Sequence, residues 1–248
     1  MLTNIKINED RLWNSLNEMA LIGATDKGGV NRQALTDLDK ESRDLFVKWC
    51  KEENLSITID QMGNIFARRD GLNPNLPVVL TGSHLDTQPL GGRFDGAFGV
   101  LAGLEVMRSL NDANADTVAP LEVVVWTDEE GCRFAAGCMG VSVFVGKRSL
   151  KEALSCKDNN GVTLGAELKR IGFNGRELCG GLPVASYFEA HIEQGPILYN
   201  QKKKIGIVKG VQAITWLKIE LFGESNHAGT TPIINRNDPI KIFIKISK

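Results

Sequence analysis

The sequence has little of three features, and each absence excludes a class of protein. Charges of the two signs nearly balance, with a formal net charge of −1, so no basic surface is present to bind nucleic acid. No stretch approaches the roughly 20 consecutive apolar residues of a membrane span. The first residues, MLTNIKINEDRLWNSLNEM, are charged and lack the apolar centre of a signal peptide. We therefore expect a cytoplasmic protein with neither a nucleic-acid nor a membrane partner.

Cysteine is present, but not in the spacing of a structural motif. The five cysteines form no CxxC pair; they are Cys50, Cys132, Cys138, Cys156 and Cys179. Their odd number and loose spacing argue against a disulfide framework and against a thiolate zinc site. The sequence predicts buried or half-buried free thiols in a reducing compartment.

Apolar periodicity predicts helices that alternate with strands. Four segments have helical periodicity: residues 8–23, 39–55, 96–110 and 161–172. Residues 56–70 alternate around a Gly-Asn turn and predict a hairpin. Buried-type strands are predicted to begin at residues 77, 121 and 184, each ending in polar groups. This order is typical of an α/β fold in which helices flank a sheet.

The pattern changes after Gly210. Leu217, Ile219 and Leu221 alternate with polar or exposed positions, which predicts a half-exposed strand of the antiparallel type. We therefore expect one domain over residues 1–211 and the beginning of a second over residues 212–248. The final segment, IKIFIKISK, alternates lysine with isoleucine and has no evident cap or partner strand, so we interpret it as an abrupt end.

Possible metal ligands follow three of the predicted strands. His84 and Asp86 end the first, Glu129 and Glu130 follow the second, and His191 follows the third. Ligands of open α/β sheets collect at the carboxyl ends of the strands, so these side chains are expected to converge. Asp95 precedes a helix, where a loop could return it to the same edge.

Geometry suggests roles for these side chains. Residues two apart on a strand point to the same side, so His84 could bind a metal while Asp86 fixes an imidazole or a neighbouring group. Glu129 and Glu130 are adjacent and diverge, so one could bind metal while the other holds the attacking water. Asp95 has two oxygens and could bridge two metals about 3.5–4 Å apart. Histidine and carboxylate donors suit zinc, with manganese or cobalt as alternatives.

Each of these features also has an ordinary structural interpretation. A single histidine is usually a satisfied core residue, Asp95 is a possible helix N-cap, and the DEE run is a possible solvated loop. The metal interpretation is favoured because two of only three histidines stand at strand ends beside acids. The third, His227, is either structural or a neutral donor to a developing oxyanion.

Four motifs together resemble a known family. GSHLDTQPLGGRFDG, WTDEEGCRFAAGCMG, FEAHIEQGP and NHAGTTPIINRNDP are similar to motifs of the dinuclear metal amidohydrolases related to aminoacylase and carboxypeptidase G. Within that family they resemble the branch of N-carbamoyl-L-amino-acid hydrolases, β-ureidopropionases and allantoate amidohydrolases. The resemblance implies a metallopeptidase-like mixed sheet flanked by helices, followed by an α+β lid domain that forms a homodimer.

The resemblance also implies roles for single residues. One metal would be held by His84, Asp95 and His191, with Asp95 bridging to a second metal on Glu130. Glu129 would be the general base and Asp86 would orient the site. Substrate would contact Gln194 and, from the other subunit, His227. Arg236 lies near the implied lid and receives no role.

The implied reaction is hydrolysis of a ureido C–N bond to an amino acid, ammonia and carbon dioxide. HLDTQP favours N-carbamoyl amino acids or N-carbamoyl-β-alanine over allantoate, by resemblance alone. Family members continue well beyond this length and supply a final histidine ligand, so the sequence is expected to be truncated. Two alternatives follow: an inactive remnant that holds one metal better than two or binds only a partner, and a peptidase of the same superfamily.

Overall fold

The computed structural model of the chain describes residues 5–134, 136–212, 215 and 217–247. Within these residues, one mixed sheet is formed by five strands: β1 (Ser56–Ile59), β2 (Ile65–Arg69), β3 (Val78–His84), β4 (Leu121–Trp126) and β5 (Val184–Phe188). Their order across the sheet is β1-β2-β4-β3-β5. The hairpin strands β1 and β2 are antiparallel to each other, and β2 is antiparallel to β4. The strands β4 and β5 both run parallel to β3, so their carboxyl ends lie at one edge.

The described residues also form eight α-helices and one short 3-10 helix. The α-helices are α1 (Glu9–Leu21), α2 (Asp37–Glu52), α3 (Ala97–Asp112), α4 (Met139–Phe144), α5 (Leu150–Ser155), α6 (Leu164–Ile171), α7 (Ile197–Asn200) and α8 (Pro239–Ile246). The 3-10 helix is Ile233–Asn235. None of the described helices is both long and apolar enough to span a membrane.

The apolar faces of the first helices build the core. Helix α3 packs against β3 and β4, and α1 packs against α3. Four apolar residues of α3 are all buried: Val100, Leu101, Leu104 and Met107. Burial of large aliphatic side chains contributes about 1.5–3 kcal/mol each, so this stripe fixes α3 against the sheet. The predicted α/β fold with a mixed sheet is confirmed.

The chain divides into two compact units, one ending at Gln194 and the other beginning at Gly195. The sheet and helices α1–α6 belong to the first unit; α7, the 3-10 helix and α8 belong to the second. The domain boundary predicted after residue 211 stays a prediction.

Two expectations for the second unit are wrong. The predicted antiparallel strand is absent from residues 217–222, which have no regular structure; residues 213, 214 and 216 of that segment lie outside the described residues. An alternating segment forms a strand only where a partner strand accepts its hydrogen bonds. The tail is not an uncapped alternation but helix α8, with Asp238 as N-cap and Pro239 at its first position. Both residues are helix-start signals.

Candidate metal centre

The carboxyl end of β3 places His84 inside the first unit, where the residue is only 2% exposed. Its ring lies against the main chain of Gly96, the residue that precedes α3. A Cβ built on Gly96 would stand 2.5 Å from three atoms of the imidazole, and the φ of Gly96 is +65°. Glycine is therefore required here both for space and for backbone conformation.

Three of the predicted ligands converge at this strand edge. One donor atom each of His84, Asp95 and His191 lie within 4.8 Å of one another, a group that could hold a metal ion. The Nε2 atom of His191 is 3.2 Å from Oδ1 of Asp95. The two imidazole rings are 6.5 Å apart, centroid to centroid. Asp95, which the sequence left as a possible cap, faces this group, and its side chain caps no helix in the structure.

Hydrogen bonds to the main chain orient both imidazoles in the same way. Nδ1 of His84 is 2.8 Å from the carbonyl oxygen of Asp86, and Nδ1 of His191 is 2.9 Å from that of Ile192. A carbonyl oxygen only accepts, so in each neutral ring Nδ1 carries the hydrogen. The lone pair is then on Nε2, which is the usual arrangement of a metal-binding histidine. The donor set fits a divalent metal of borderline hardness.

The hydrogen bonds of Asp86 in the site all involve main-chain groups, either its own carbonyl or the N–H groups of the two glutamates. Its fully buried carboxylate accepts the N–H groups of Glu129 at 3.3 Å and Glu130 at 3.2 Å. Its Oδ1 is 3.8 Å from Nδ1 of His84, so the contact with the imidazole is made by the Asp86 carbonyl instead. The carboxylate thus holds the turn after β4 beside the end of β3.

The two glutamates diverge, as their adjacent positions predict. Oε2 of Glu129 lies 3.4 Å from Nε2 of His84. Oε2 of Glu130 accepts a hydrogen bond from Nε2 of Gln88 at 2.8 Å. The other oxygen of Glu130, Oε1, is buried and has no hydrogen-bond partner among the described residues. A buried oxygen without a partner is costly, which makes Oε1 a natural donor to a cation.

Burial and clustering of carboxylates shift the pKa values in the site. Burial raises the pKa of Asp86 to about 6, against the opposing effect of His84. Burial alone would lower the pKa of His84, but the charges of Asp86 and Glu129 outweigh it and the pKa is raised. Asp128 is buried rather than solvated, and burial together with Asp86 raises its pKa to about 8. The first acid of the DEE run is therefore not part of an exposed loop.

The two predicted substrate residues lie in different parts of the chain. Gln194 stands beside the metal ligands, where its Nε2 donates to Oδ2 of Asp95 at 2.6 Å. His227 lies in the second unit, and its Nδ1 accepts hydrogen bonds from the main-chain N–H groups of Gly229 and Thr230.

Two residues at the site were not predicted. Gln88, which holds Glu130, is four residues after His84, and its place in the same motif was a usable signal. The thiol of Cys138 donates to Oε1 of Glu129 at 3.2 Å, and nothing in the spacing of the cysteines indicates that contact. All five cysteines are free, and Cys138 is exposed rather than buried.

Comparison with known proteins identifies the family of the chain. Residues 80–247 match peptidase family M20/M25/M40. An N-carbamoyl-L-amino-acid amidohydrolase of Rhizobium meliloti is 50% identical over 230 residues, covering 93% of this chain and 55% of that protein. A ureidoglycolate hydrolase of Arabidopsis thaliana is 33% identical over 247 residues, covering 96% of this chain and 52% of that protein.

Solved structures give the same result. The crystal structure of a hydantoinase/carbamoylase family amidase from Burkholderia ambifaria matches with a TM-score of 0.86 and 52% identity, over 98% of this chain and 60% of that one. The chain thus spans between half and three-fifths of the length of these relatives. The predicted resemblance is confirmed: the chain belongs to peptidase family M20/M25/M40 and is similar, within it, to the hydantoinase/carbamoylase amidases.

Proposed function

We propose that the protein is a metal-dependent amidohydrolase that cleaves the ureido C–N bond of N-carbamoyl amino acids. The products are an amino acid, ammonia and carbon dioxide. The observation that carries the proposal is the convergence of His84, Asp95 and His191, with both Nε2 lone pairs available and Glu129 alongside. Similarity to a bacterial N-carbamoyl-L-amino-acid amidohydrolase supports the choice of substrate class.

The metal is proposed to be zinc, with manganese or cobalt as alternatives, because the donors are imidazole nitrogens and carboxylate oxygens without thiolates. His84, Asp95 and His191 would hold the first ion. Asp95 and Glu130 would take part in holding a second, and the unpartnered Oε1 of Glu130 supports this assignment. Bound divalent cations supply polarisation of the substrate carbonyl and make a neighbouring water more acidic.

Glu129 is proposed as the general base. Its Oε2 is 3.4 Å from Nε2 of His84, and its Oε1 accepts a hydrogen bond from the thiol of Cys138, so the carboxylate is placed to act on a water that attacks the substrate. The carboxylate takes a proton from that water and delivers it to the departing amine. Asp86 serves this step by fixing the main chain of both glutamates.

Gln194 and His227 are proposed to recognise the substrate. Gln194 donates a hydrogen bond to Asp95, which places its amide beside the metal ligands where a substrate would bind. His227 in its neutral form has its hydrogen on Nε2 and can donate to the carbonyl oxygen as negative charge develops there. The homodimer implied by the family resemblance is part of this proposal.

A second candidate substrate is a ureide such as allantoate or ureidoglycolate. It is favoured by the similarity to a plant ureidoglycolate hydrolase, although the identity is lower. A third outcome is a chain that binds metal without turnover. It is raised by the second ion, for which the proposal names only Asp95 and Glu130 as ligands; one ion is then expected to bind more tightly than two.

The test uses chelated protein reloaded with zinc, manganese or cobalt and assayed for ammonia release. Substrates are N-carbamoyl-L-amino acids, N-carbamoyl-β-alanine, allantoate and ureidoglycolate. Glu129→Gln should lower kcat by about 10²–10⁴-fold, the usual cost of losing a general base, with metal content unchanged. Glu41→Gln, on the exposed face of α2, makes the same change of charge and should have no effect.

Two results would contradict the proposal. Activity that survives exhaustive chelation excludes the metal. Near-normal turnover of Glu129→Gln removes this residue from the role of base. Protein that binds metal but releases ammonia from none of the four substrates supports the third outcome.

A further inference from the structure

The side chain of Arg236 donates two hydrogen bonds to the turn that follows His227. Its Nη2 donates to the carbonyl oxygen of Ala228 at 2.6 Å, and its Nε donates to that of Thr231 at 2.8 Å. Both carbonyls belong to the four-residue segment 228–231, and the N–H of Thr231 closes that segment by donating to the carbonyl of His227. All of these contacts lie within the second unit.

The same turn fixes the imidazole of His227. Nδ1 accepts the main-chain N–H of Gly229 at 3.0 Å and that of Thr230 at 3.1 Å. A ring nitrogen that accepts two hydrogen bonds keeps its lone pair, so the neutral ring carries its hydrogen on Nε2. The turn therefore selects one tautomer.

A single peptide plane connects the two sets of contacts. The carbonyl of Ala228 and the N–H of Gly229 belong to the same planar, trans peptide group and point in opposite directions. When Arg236 holds that carbonyl on one side, the N–H is aimed at Nδ1 of His227 on the other. The planar guanidinium presents its donors in a fixed fork and can hold two carbonyls at once, which a lysine ammonium does less well.

We propose that Arg236 is a positioning residue that, through the 228–231 turn, keeps His227 as the Nε2–H tautomer. The inference rests on the proposed function only for what that hydrogen serves, namely donation to the substrate carbonyl oxygen. The tautomer itself is a property of this turn and is measurable without substrate or metal.

The experiment is ¹⁵N NMR of histidine-labelled full chain at about pH 8, where unperturbed imidazoles are neutral. Protonated and unprotonated ring nitrogens resonate in separate regions, and the chain has only three histidines. The His227→Gln variant assigns the signals by their loss. The wild-type protein should show Nε2 protonated and Nδ1 unprotonated. In Arg236→Ala both signals should move towards each other, as the two tautomers interconvert.

Controls separate positioning from general damage. Lys241→Ala removes another side-chain bond to the main chain of the same unit, from Nζ to the carbonyl of Ile233 at 2.8 Å, and should leave the His227 signals unchanged. Unchanged His84 and His191 signals report that the first unit is intact. If Arg236→Ala does not fold, Arg236→Lys is used in its place, and its His227 signals should shift in the same direction by a smaller amount. Wild-type His227 signals in the folded Arg236 variants overturn the inference.

Kinetics distinguish this inference from the proposed function. In an active enzyme Arg236→Ala should lower kcat by up to about 10²-fold, as expected for a misplaced catalytic group, with little change in KM or metal content. If the tautomer of His227 shifts in the Arg236 variants but the wild-type protein has no hydrolytic activity, the proposed function is refuted and the positioning role is supported. If the wild-type protein hydrolyses substrate but the tautomer does not shift in the variants, the proposed function is supported and the positioning role is refuted.

Discussion

Binding of a divalent cation to His84, Asp95 and His191 should raise the thermal stability of the protein by a predictable amount. The three donor atoms already lie within 4.8 Å of one another, so we expect the folded chain to bind the ion and the unfolded chain to bind it far less. At a metal concentration 100 times the Kd, this linkage stabilises the fold by about 2.7 kcal/mol. For a chain of this size that corresponds to a rise in Tm of roughly 5–11 °C.

The most informative variant is His191→Ala. The side chain of His191 is 36% exposed, whereas that of His84 is 3% exposed, so removing His191 costs the metal-free fold little. We expect the metal-free variant to melt near the wild-type temperature and to lose most of the metal-induced rise. His227→Ala deletes the one histidine outside the group, and we expect it to retain the rise.

The assay is differential scanning calorimetry of chelated protein with and without added zinc, manganese or cobalt, paired with elemental analysis. A metal-induced rise of the same size in His191→Ala and in Asp95→Asn would place the ion elsewhere. Absence of any rise in the wild-type protein at millimolar metal would refute the site itself.

Two further predictions test other parts of the structure. Cys138→Ala should lower kcat about 2–10-fold, because Oε1 of Glu129 loses a hydrogen bond of about 0.5–1.5 kcal/mol. Cys138→Ser keeps a hydrogen-bond donor and should keep the activity. Equal losses of activity in both variants would contradict this role of the thiol. Glu105 of α3, which is 1% exposed, accepts two hydrogen bonds from Arg11 of α1. Burial alone would raise the pKa of Glu105, but Arg11 outweighs it and holds the pKa below its ordinary value. The ion pair therefore stabilises the fold above about pH 4.3, the ordinary glutamate pKa, and that contribution is lost as the pH falls through the lower folded pKa. Arg11→Met should cost about 1.5–3 kcal/mol in urea unfolding at pH 7, and the difference from wild type should shrink below pH 4; a difference independent of pH would be inconsistent with the pair.

The sheet and the ligand group were largely predictable because both depend on short-range patterns. Buried strands have continuous apolar runs, and β3, β4 and β5 run in the same direction, so the polar residues that follow them meet at one edge. The strand directions alone bring His84 and His191 together, although more than one hundred residues separate them in the chain.

The contacts that orient these ligands were beyond such reasoning. The sequence suggested that the carboxylate of Asp86 fixes an imidazole or a neighbouring group. In the structure its main-chain carbonyl holds His84, while the carboxylate holds the main chain of Glu129 and Glu130. The choice between these depends on backbone angles after β3, which no periodicity encodes. Periodicity likewise does not encode the hydrogen bond from Cys138 to Glu129 or the hydrogen bond from Arg236 to the carbonyl of Ala228.

The error at α8 has a different cause, since an eight-residue segment can satisfy two periods at once. Isoleucines at alternate positions suggest a strand, but Ile240, Phe243 and Ile244 have the spacing of one helix face. The start signal decides between them: Asp238 accepts a hydrogen bond from the main chain of Ile240, and Pro239 has the fixed φ of a first helical residue. Cap residues should therefore be weighed before alternation in short segments.

The charges of the metal centre give an independent reason to expect a cation there. Two imidazoles are gathered with the carboxylates of Asp86, Asp95 and Glu129, and Glu130 is next to them. Burial alone would lower the pKa of His84, but the neighbouring carboxylates of Asp86 and Glu129 raise it, so the cluster favours a proton on His84. A divalent cation supplies the same positive charge and requires its ligands to be deprotonated. Metal and protons should then compete for His84, so metal uptake should release protons and weaken as the pH falls through the raised pKa of that imidazole.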